Sequence, residues 1–334
     1  MAVKTTHKAI VAFVMATCFS LPSNLFGQPA TQSRPAETTP TPDEKAEQAA
    51  ETQVQEQAKS KTKAKKKKPS EHFMRIRKNA RGKLLALETS ITRYELTNAA
   101  GEPVTVDLIG AVHVGEKEYY EDLNERFEKY DSMLYELVAP EGTVIPKGGR
   151  QTEGIPLNPL AAMQMGMKET LGLEFQLDLI DYNKDNFKHA DMSPEEFSES
   201  MVENDESLMK YGLKAIGQSM AMQAAGGQSA DSMGMLMAAF SSNKEMHMRR
   251  MFAKQIKQME AGMVIFQGKD GSTIVTHRNA KCMEVLKEEI AAGKNNLAIF
   301  YGAAHLPDME RRMLSDFKAK RAGQVWLEAW RLTE

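Results

Sequence analysis

The chain has 334 residues, a formal net charge of −2, 42% hydrophobic residues and two cysteines. That length allows one or two folded domains, and near-neutrality without a basic, aromatic-laced face gives nucleic-acid binding little support. Cys18 and Cys282 offer no disulfide framework, so the core must hold by burial alone, which a chain of this size can do.

Residues 1–27 read as an export signal. Lys4, His7 and Lys8 precede the apolar run Ala9 to Leu21, which is too short to span a bilayer comfortably and gives way to small and polar residues near Gly27-Gln28. The expected location is therefore periplasm, cell envelope or extracellular space, and Cys18 is expected to leave with the signal. Residues 28–70 are Pro, Thr, Gln, Ala, Glu and Lys with almost no large apolar side chain. Such a segment cannot bury enough surface to offset its chain entropy and is expected to be a disordered linker. Its basic end, Lys61 to Lys68, reads most simply as solvated chain and alternatively as a contact for a membrane surface or an acidic envelope polymer.

Residues 71–334 carry the folded domain. Phe73 to Arg77, Leu84 to Leu87 and Ile91 to Leu96 alternate as strands, with turn chemistry at Asn79 to Gly82 and Asn98 to Gly101. Val104 to Ile109 is a further strand, and Glu116 to Tyr130 a helix with Tyr119, Leu123, Phe127 and Tyr130 at helical spacing. Met133 to Val138 is an apolar run, Ala139 to Pro159 a loop, and about 160–262 a predominantly helical insertion. Within it, Ser193-Pro194-Glu195-Glu196 has the form of a capped helix start. Most of the 23 methionines fall in this insertion. Core packing and adaptable contact surface explain them most simply, soft-metal ligation being the sharper alternative. Thr273 to Thr276 is a short β-branched piece, Asn279 to Ala292 a helix ended by Gly293, Leu297 to Phe300 a strand, Pro307 to Lys318 a helix, and Val325 to Trp330 a last strand. Strands alternating with helices after an antiparallel start predict an α/β or α+β domain with a mixed central sheet flanked by helices.

One motif occurs twice. Gly110-Ala111-Val112-His113 and Gly302-Ala303-Ala304-His305 each follow an apolar strand and precede a helix and a second strand. The same interval separates His113 from Glu136 and His305 from Glu328. This reads as a duplicated strand–GxxH–helix–strand unit, each copy placing an imidazole at the carboxyl end of a sheet, where open α/β folds keep their ligands. Two His and one Glu suit Mn, Co or Zn rather than Ca, and leave coordination positions for water and substrate. His113, Glu136 and His305 are the candidate ligands, with Glu328 a weaker fourth. Glu136 stands in an apolar run, where an unpaired carboxylate is expensive. Arg278 opens a helix against its dipole and so calls for a carboxylate or substrate oxygen nearby, while Asn279 reads as that helix's cap. His189, His247 and His277 read as structural or peripheral. No GxSxG, HExxH, CxxC or phosphate-loop pattern is present.

At Gly110-Ala111-Val112-His113, Tyr135-Glu136-Leu137, Arg278-Asn279 and Gly302-Ala303-Ala304-His305-Leu306 the sequence resembles the TraB/PrgY/GumN family, which includes the TIKI proteins. The resemblance covers about Val104 to Phe317, with the helical middle weakly matched, and Glu328 is not clearly part of the family pattern. It implies a fold similar to the erythromycin-esterase and ChaN-like group. TIKI members are divalent-metal-dependent proteases, TraB and PrgY members restrain peptide signalling, and ChaN-like relatives bind haem. The expected function is thus an exported metal-dependent hydrolase acting on peptides or secreted proteins. His113, Glu136 and His305 would stand at the metal, and Arg278 at the pocket rim to orient substrate or oxyanion. The alternative is a non-catalytic protein that binds haem or sequesters a peptide through the same His pair. The export reading predicts that N-terminal sequencing of the mature protein starts near Gln28; recovery of Met1 from a cytoplasmic fraction refutes it.

Overall fold

The computed structural model describes residues 73–146, 170–207, 243–266 and 272–334. The export signal, the Lys-rich linker, and the loop and Met-rich stretches at 147–169 and 208–242 lie outside the described residues. The strands are β1 (Met74–Lys78), β2 (Leu84–Thr97), β3 (Pro103–Ala111), β4 (Val114–Gly115), β5 (Ser132–Tyr135), β6 (Glu174–Phe175), β7 (Phe187–His189), β8 (Asn296–Gly302) and β9 (Lys320–Arg331). The helices are α1 (Lys117–Phe127), α2 (Gln176–Leu179), α3 (Pro194–Glu203), α4 (Lys244–Phe266), α5 (Arg278–Ala291) and α6 (Leu306–Ser315), with a π-helical turn at Thr273–His277.

The domain is a mixed α/β fold around a seven-stranded sheet. β2 is antiparallel to β1, β3 and β9, while β3, β8, β5 and β7 lie side by side and parallel. Strand alternation splits the core in two. Ile109, Ala111, Met133, Tyr135, Ala298 and Phe300 face α1, whose Tyr119, Tyr120, Leu123 and Phe127 cover them. Val106, Leu108, Leu134, Leu297, Ile299 and Tyr301 face the other way, toward Met283 and Leu286 of α5 and Leu306, Met309 and Met313 of α6.

The two GxxH units depart from neighbouring strands onto opposite faces. From β3 the chain crosses the first face through α1, passes over β8 and enters β5. From β8 it crosses the second face through α6 and passes over β3 and β2 to β9, which runs the same way as β3 because both oppose β2. Crossings over opposite faces in opposite directions have the same hand, as parallel crossovers require. The gap between the ends of β3 and β8 is therefore the sheet's switch point.

Three details differ from the sequence reading. β2 is one continuous strand because its polar middle is paired: buried Glu88 accepts from Arg75 Nε at 2.6 Å and from Arg77 Nε at 2.5 Å. Described parts of the supposed helical insertion hold β6, β7 and α2, elements too short to produce a period. The Thr273–His277 run winds as a π-helical turn, with Ser272 Oγ accepting from the Val275 N–H. The Ser193 start behaves as read: Glu196 N donates to Ser193 Oγ and Ser193 N to Glu196 Oε2.

Trp330 is fully buried and its Nε1–H donates to the Val114 carbonyl at 2.6 Å, tying β9 to the segment just after His113. Trp330→Ala should lower unfolding stability in urea by about 3–5 kcal/mol. Trp330→Phe keeps most of the packing, and its loss should be nearer the ~1 kcal/mol of one hydrogen bond.

Candidate active site

Four adjacent parallel strands each end on a polar side chain. His113 follows β3, His305 follows β8, Glu136 follows β5 and Asp191 follows β7. Register makes the ends coincide: Ala111 stands opposite Gly302 and Tyr135 opposite Phe300.

Glu136 is the centre. Its Oε1 accepts from Arg278 Nη2 at 2.7 Å and its Oε2 from the Gly302 N–H at 2.7 Å. Glycine at 302 is needed for that approach, because a Cβ there would stand 3.3 Å from Oε2. Burial alone would push the Glu136 carboxyl up. The imidazoles of His305 and His113, the Arg278 guanidinium and the Gly302 N–H outweigh it and hold the group well below the usual carboxylate range. Glu136 is thus ionised at any ordinary pH.

Arg278 is not at a rim. Its side chain is 2% exposed, with Nε on Asp191 Oδ1 at 2.9 Å, Nη2 on Asp191 Oδ2 at 2.5 Å and on Glu136, and Nη1 on the Ile274 carbonyl at 3.5 Å. The π-helical turn supplies that carbonyl and sets Arg278 at the head of α5. The carboxylates that the sequence required near Arg278 are Asp191 and Glu136. Asp191 had no signal of its own, since a lone Asp after a three-residue strand looks like any turn residue.

Asn279 does not cap α5. Its Nδ2 donates to Asp308 Oδ2 at 2.9 Å and to the His305 carbonyl at 3.1 Å, while Oδ1 lies 2.7 Å from His305 Nδ1. Asp308 is ion-paired with Arg311 and Arg312, so it can only accept, and the orientation of the amide follows. His305 therefore carries its proton on Nδ1, and its Nε2 faces Glu136 Oε1 at 3.5 Å. Burial lowers the His305 imidazole below its ordinary 6.5 despite Glu136's opposing charge, leaving Nε2 an acceptor near neutral pH. His113 is partly buried and its imidazole has no hydrogen-bond partner among the described residues; its carbonyl receives the Gln176 N–H at 2.9 Å.

Glu328 belongs elsewhere. It lies within β9, opposite Glu88 of β2, and pairs with Arg77 at 2.6 Å. The shared interval from His to Glu thus follows the repeated chain path without bringing the two carboxylates together. His189 Nε2 meets the Leu137 carbonyl at 2.6 Å and His277 Nδ1 the Ser200 hydroxyl at 3.1 Å, structural positions for both. Of the possible metal donors, His305 Nε2 and Glu136 Oε1 stand at a separation that one ion can bridge. Among the described residues no three His, Cys, Asp or Glu side chains are grouped to hold one.

Removing Asp191 should be severe, because it strands a buried guanidinium: Asp191→Ala is expected to cost about 3–5 kcal/mol in urea unfolding. Acid should destabilise in two stages. His305 has a folded-state pKa below 6.5, so the unfolded chain takes up its proton first, and stability falls as pH drops through 6.5. Glu136 adds a second loss as pH drops below 4.5, its ordinary value. In His305→Gln the first stage should vanish and the second remain; an unchanged profile refutes the assignment. No family model, no curated protein and no solved structure matches this chain.

Proposed function

We propose that this chain is a hydrolase whose substrates are peptides or secreted proteins, with His305 as the group that takes the proton from the attacking water. One observation carries the reading. A neutral His305, its Nδ1–H fixed by Asn279, presents Nε2 to ionised Glu136 at 3.5 Å where the parallel strands end. As Nε2 accepts the proton, Glu136 at 3.5 Å stabilises the imidazolium that forms. His305 then returns the proton to the leaving nitrogen. His113, which follows the neighbouring strand β3, would polarise the carbonyl, and Arg278 positions Glu136 without reaching substrate. The four motifs shared with the TraB/PrgY/GumN family support a hydrolytic role, and the export signal read at residues 1–27 would set the encounter outside the cytoplasm.

A metal-assisted form is favoured by one feature, an imidazole nitrogen and a carboxylate oxygen 3.5 Å apart with the outer imidazole nitrogen tied to Asn279. In that form His305 and Glu136 would hold Mn, Co or Zn, which when bound would supply Lewis-acid polarisation and a more acidic water; His113, the third ligand expected from the sequence, is not grouped with them among the described residues.

The test is incubation of the full chain with tryptic peptides of casein, alone, with EDTA, and with EDTA then Mn²⁺, read by mass spectrometry. Cleavage is expected, with His305→Ala slower by about 10²–10⁴-fold while keeping a cooperative melt, at a lower melting temperature because the buried imidazole's bond to Asn279 is lost. Activity that EDTA removes and Mn²⁺ restores selects the metal-assisted form. Peptides retained intact, or a Soret band on haem addition without cleavage, would overturn the hydrolase in favour of a binding protein.

A further inference from the structure

Gln176 opens α2 directly after β6, and its backbone N–H holds the His113 carbonyl. Its side chain is buried, at 7% exposure for the residue, yet only half satisfied. Nε2 donates to the Tyr182 hydroxyl at 2.7 Å, while Oε1 has no partner, the one such buried side-chain atom among the described residues. Turning the amide over does not remove the orphan. Tyr182 would then donate to Oε1, and Nε2 would stand alone. Buried polar atoms are almost always paired, so each exception in a native fold asks for a partner. Tyr182 adds a second vacancy: with its oxygen accepting from Gln176, its own proton has no acceptor among the described residues.

These two groups adjoin the strand ends that form the site. Gln176 is bonded to His113, and the Tyr182 ring packs on Tyr135, the residue before Glu136, with centroids 5.1 Å apart. Burial first, then the Glu136 charge, pushes the Tyr182 phenol up, so it remains a protonated donor. One acceptor and one donor side by side are the complement of a secondary amide, which offers an N–H and a carbonyl. An ester lacks the first.

We infer that Gln176 and Tyr182 form a subsite for a backbone amide of the substrate next to the bond that is cleaved: Gln176 Oε1 accepts its N–H, and the Tyr182 hydroxyl donates to its carbonyl. This rests on the hydrolase reading and narrows it to peptide-like chains. A site built to hydrogen-bond a substrate group discriminates strongly against analogues lacking it, because its own polar atoms are then left unpaired.

The test uses the full chain and the single variants Tyr182→Phe, which removes one oxygen, and Gln176→Leu, with the casein peptides as probe. Cleavage is followed in each, and binding is measured by equilibrium dialysis of the same peptides against His305→Ala with and without each substitution. The expected result is about a tenfold rise in KM and a matching loss of retention, with kcat within about twofold and a retained cooperative melt; tenfold corresponds to about 1.4 kcal/mol. Wild-type KM and retention in both variants would overturn the subsite, showing that a water alone satisfies Oε1, while cleavage itself would leave the hydrolase standing. Retention that depends on Gln176 and Tyr182 without any cleavage would sustain the subsite and remove the hydrolase. Failure of the His305→Ala protein to retain any peptide would also overturn the subsite. Should Gln176→Leu not fold, Tyr182→Phe decides alone.

Discussion

The site depends on one buried ion cluster, the Arg278 guanidinium shared between Asp191 and Glu136. Taking three charges out of water is expensive and is offset only when geometry and extra hydrogen bonds are good. Here the fork is matched to Asp191 through two nitrogens, and the second oxygen of Glu136 receives the Gly302 N–H. The cluster holds one cation and two anions, so it keeps a negative excess at its Glu136 end. That excess faces His305 Nε2 and stabilises any positive charge that arrives there. Asn279 reinforces this from behind by fixing which imidazole nitrogen is free.

The GxxH motif gains a physical meaning from its two copies. At Gly302 the missing side chain lets a carboxylate reach the strand's last N–H. At Gly110 no such constraint operates, since a Cβ would meet the Leu306 side chain and the Phe73 carbonyl at an ordinary contact distance of 3.4 Å. The histidines then diverge. His305 immediately precedes α6 and is held by its own turn, with its N–H on the Gly302 carbonyl. His113 is followed by the short β4–β6 pairing and a Trp330 hydrogen bond before α1 begins. One imidazole is thus fixed by neighbours on both sides, while the ring of the other has no hydrogen-bond partner among the described residues.

Legibility followed the range of the interactions. Periodic helices, the capped start at Ser193 and the alternating strands were visible because each is decided within a few residues. The two glycine–histidine pairs were visible because a repeat exposes architecture that a single copy hides. Arg278 announced a missing carboxylate by sitting against a helix dipole, but not that Asp191, 87 positions earlier, would provide it. Gln176 and Tyr182 gave no signal, because a half-satisfied amide exists only once the chain has folded around it. Glu328 shows the opposite error. An interval copied from the first unit carried the right strand direction to the wrong place, since β9 lands beyond β2 and pairs its carboxylate with Arg77. Asn279 was assigned to its own helix because capping is the local use of that residue; the tertiary neighbours His305 and Asp308 prevailed.

Placement at a switch point explains why so few residues suffice. Because α1 and α6 leave on opposite faces, the ends of β3 and β8 form a switch point, the place where open α/β folds hold their ligands. The flanking strands β5 and β7 bring the charge cluster in from one side, and β6 with α2 brings Gln176 in beside His113. The candidate site residues are therefore set by hydrogen-bonded strand register, which holds position more tightly than a loop does. The polar atoms left unmatched, Gln176 Oε1 and the Tyr182 proton, belong to residues that touch His113 and Tyr135. Among the described residues no other buried side-chain nitrogen or oxygen lacks a partner, so this mismatch sets the neighbourhood of the site apart from the rest of the core.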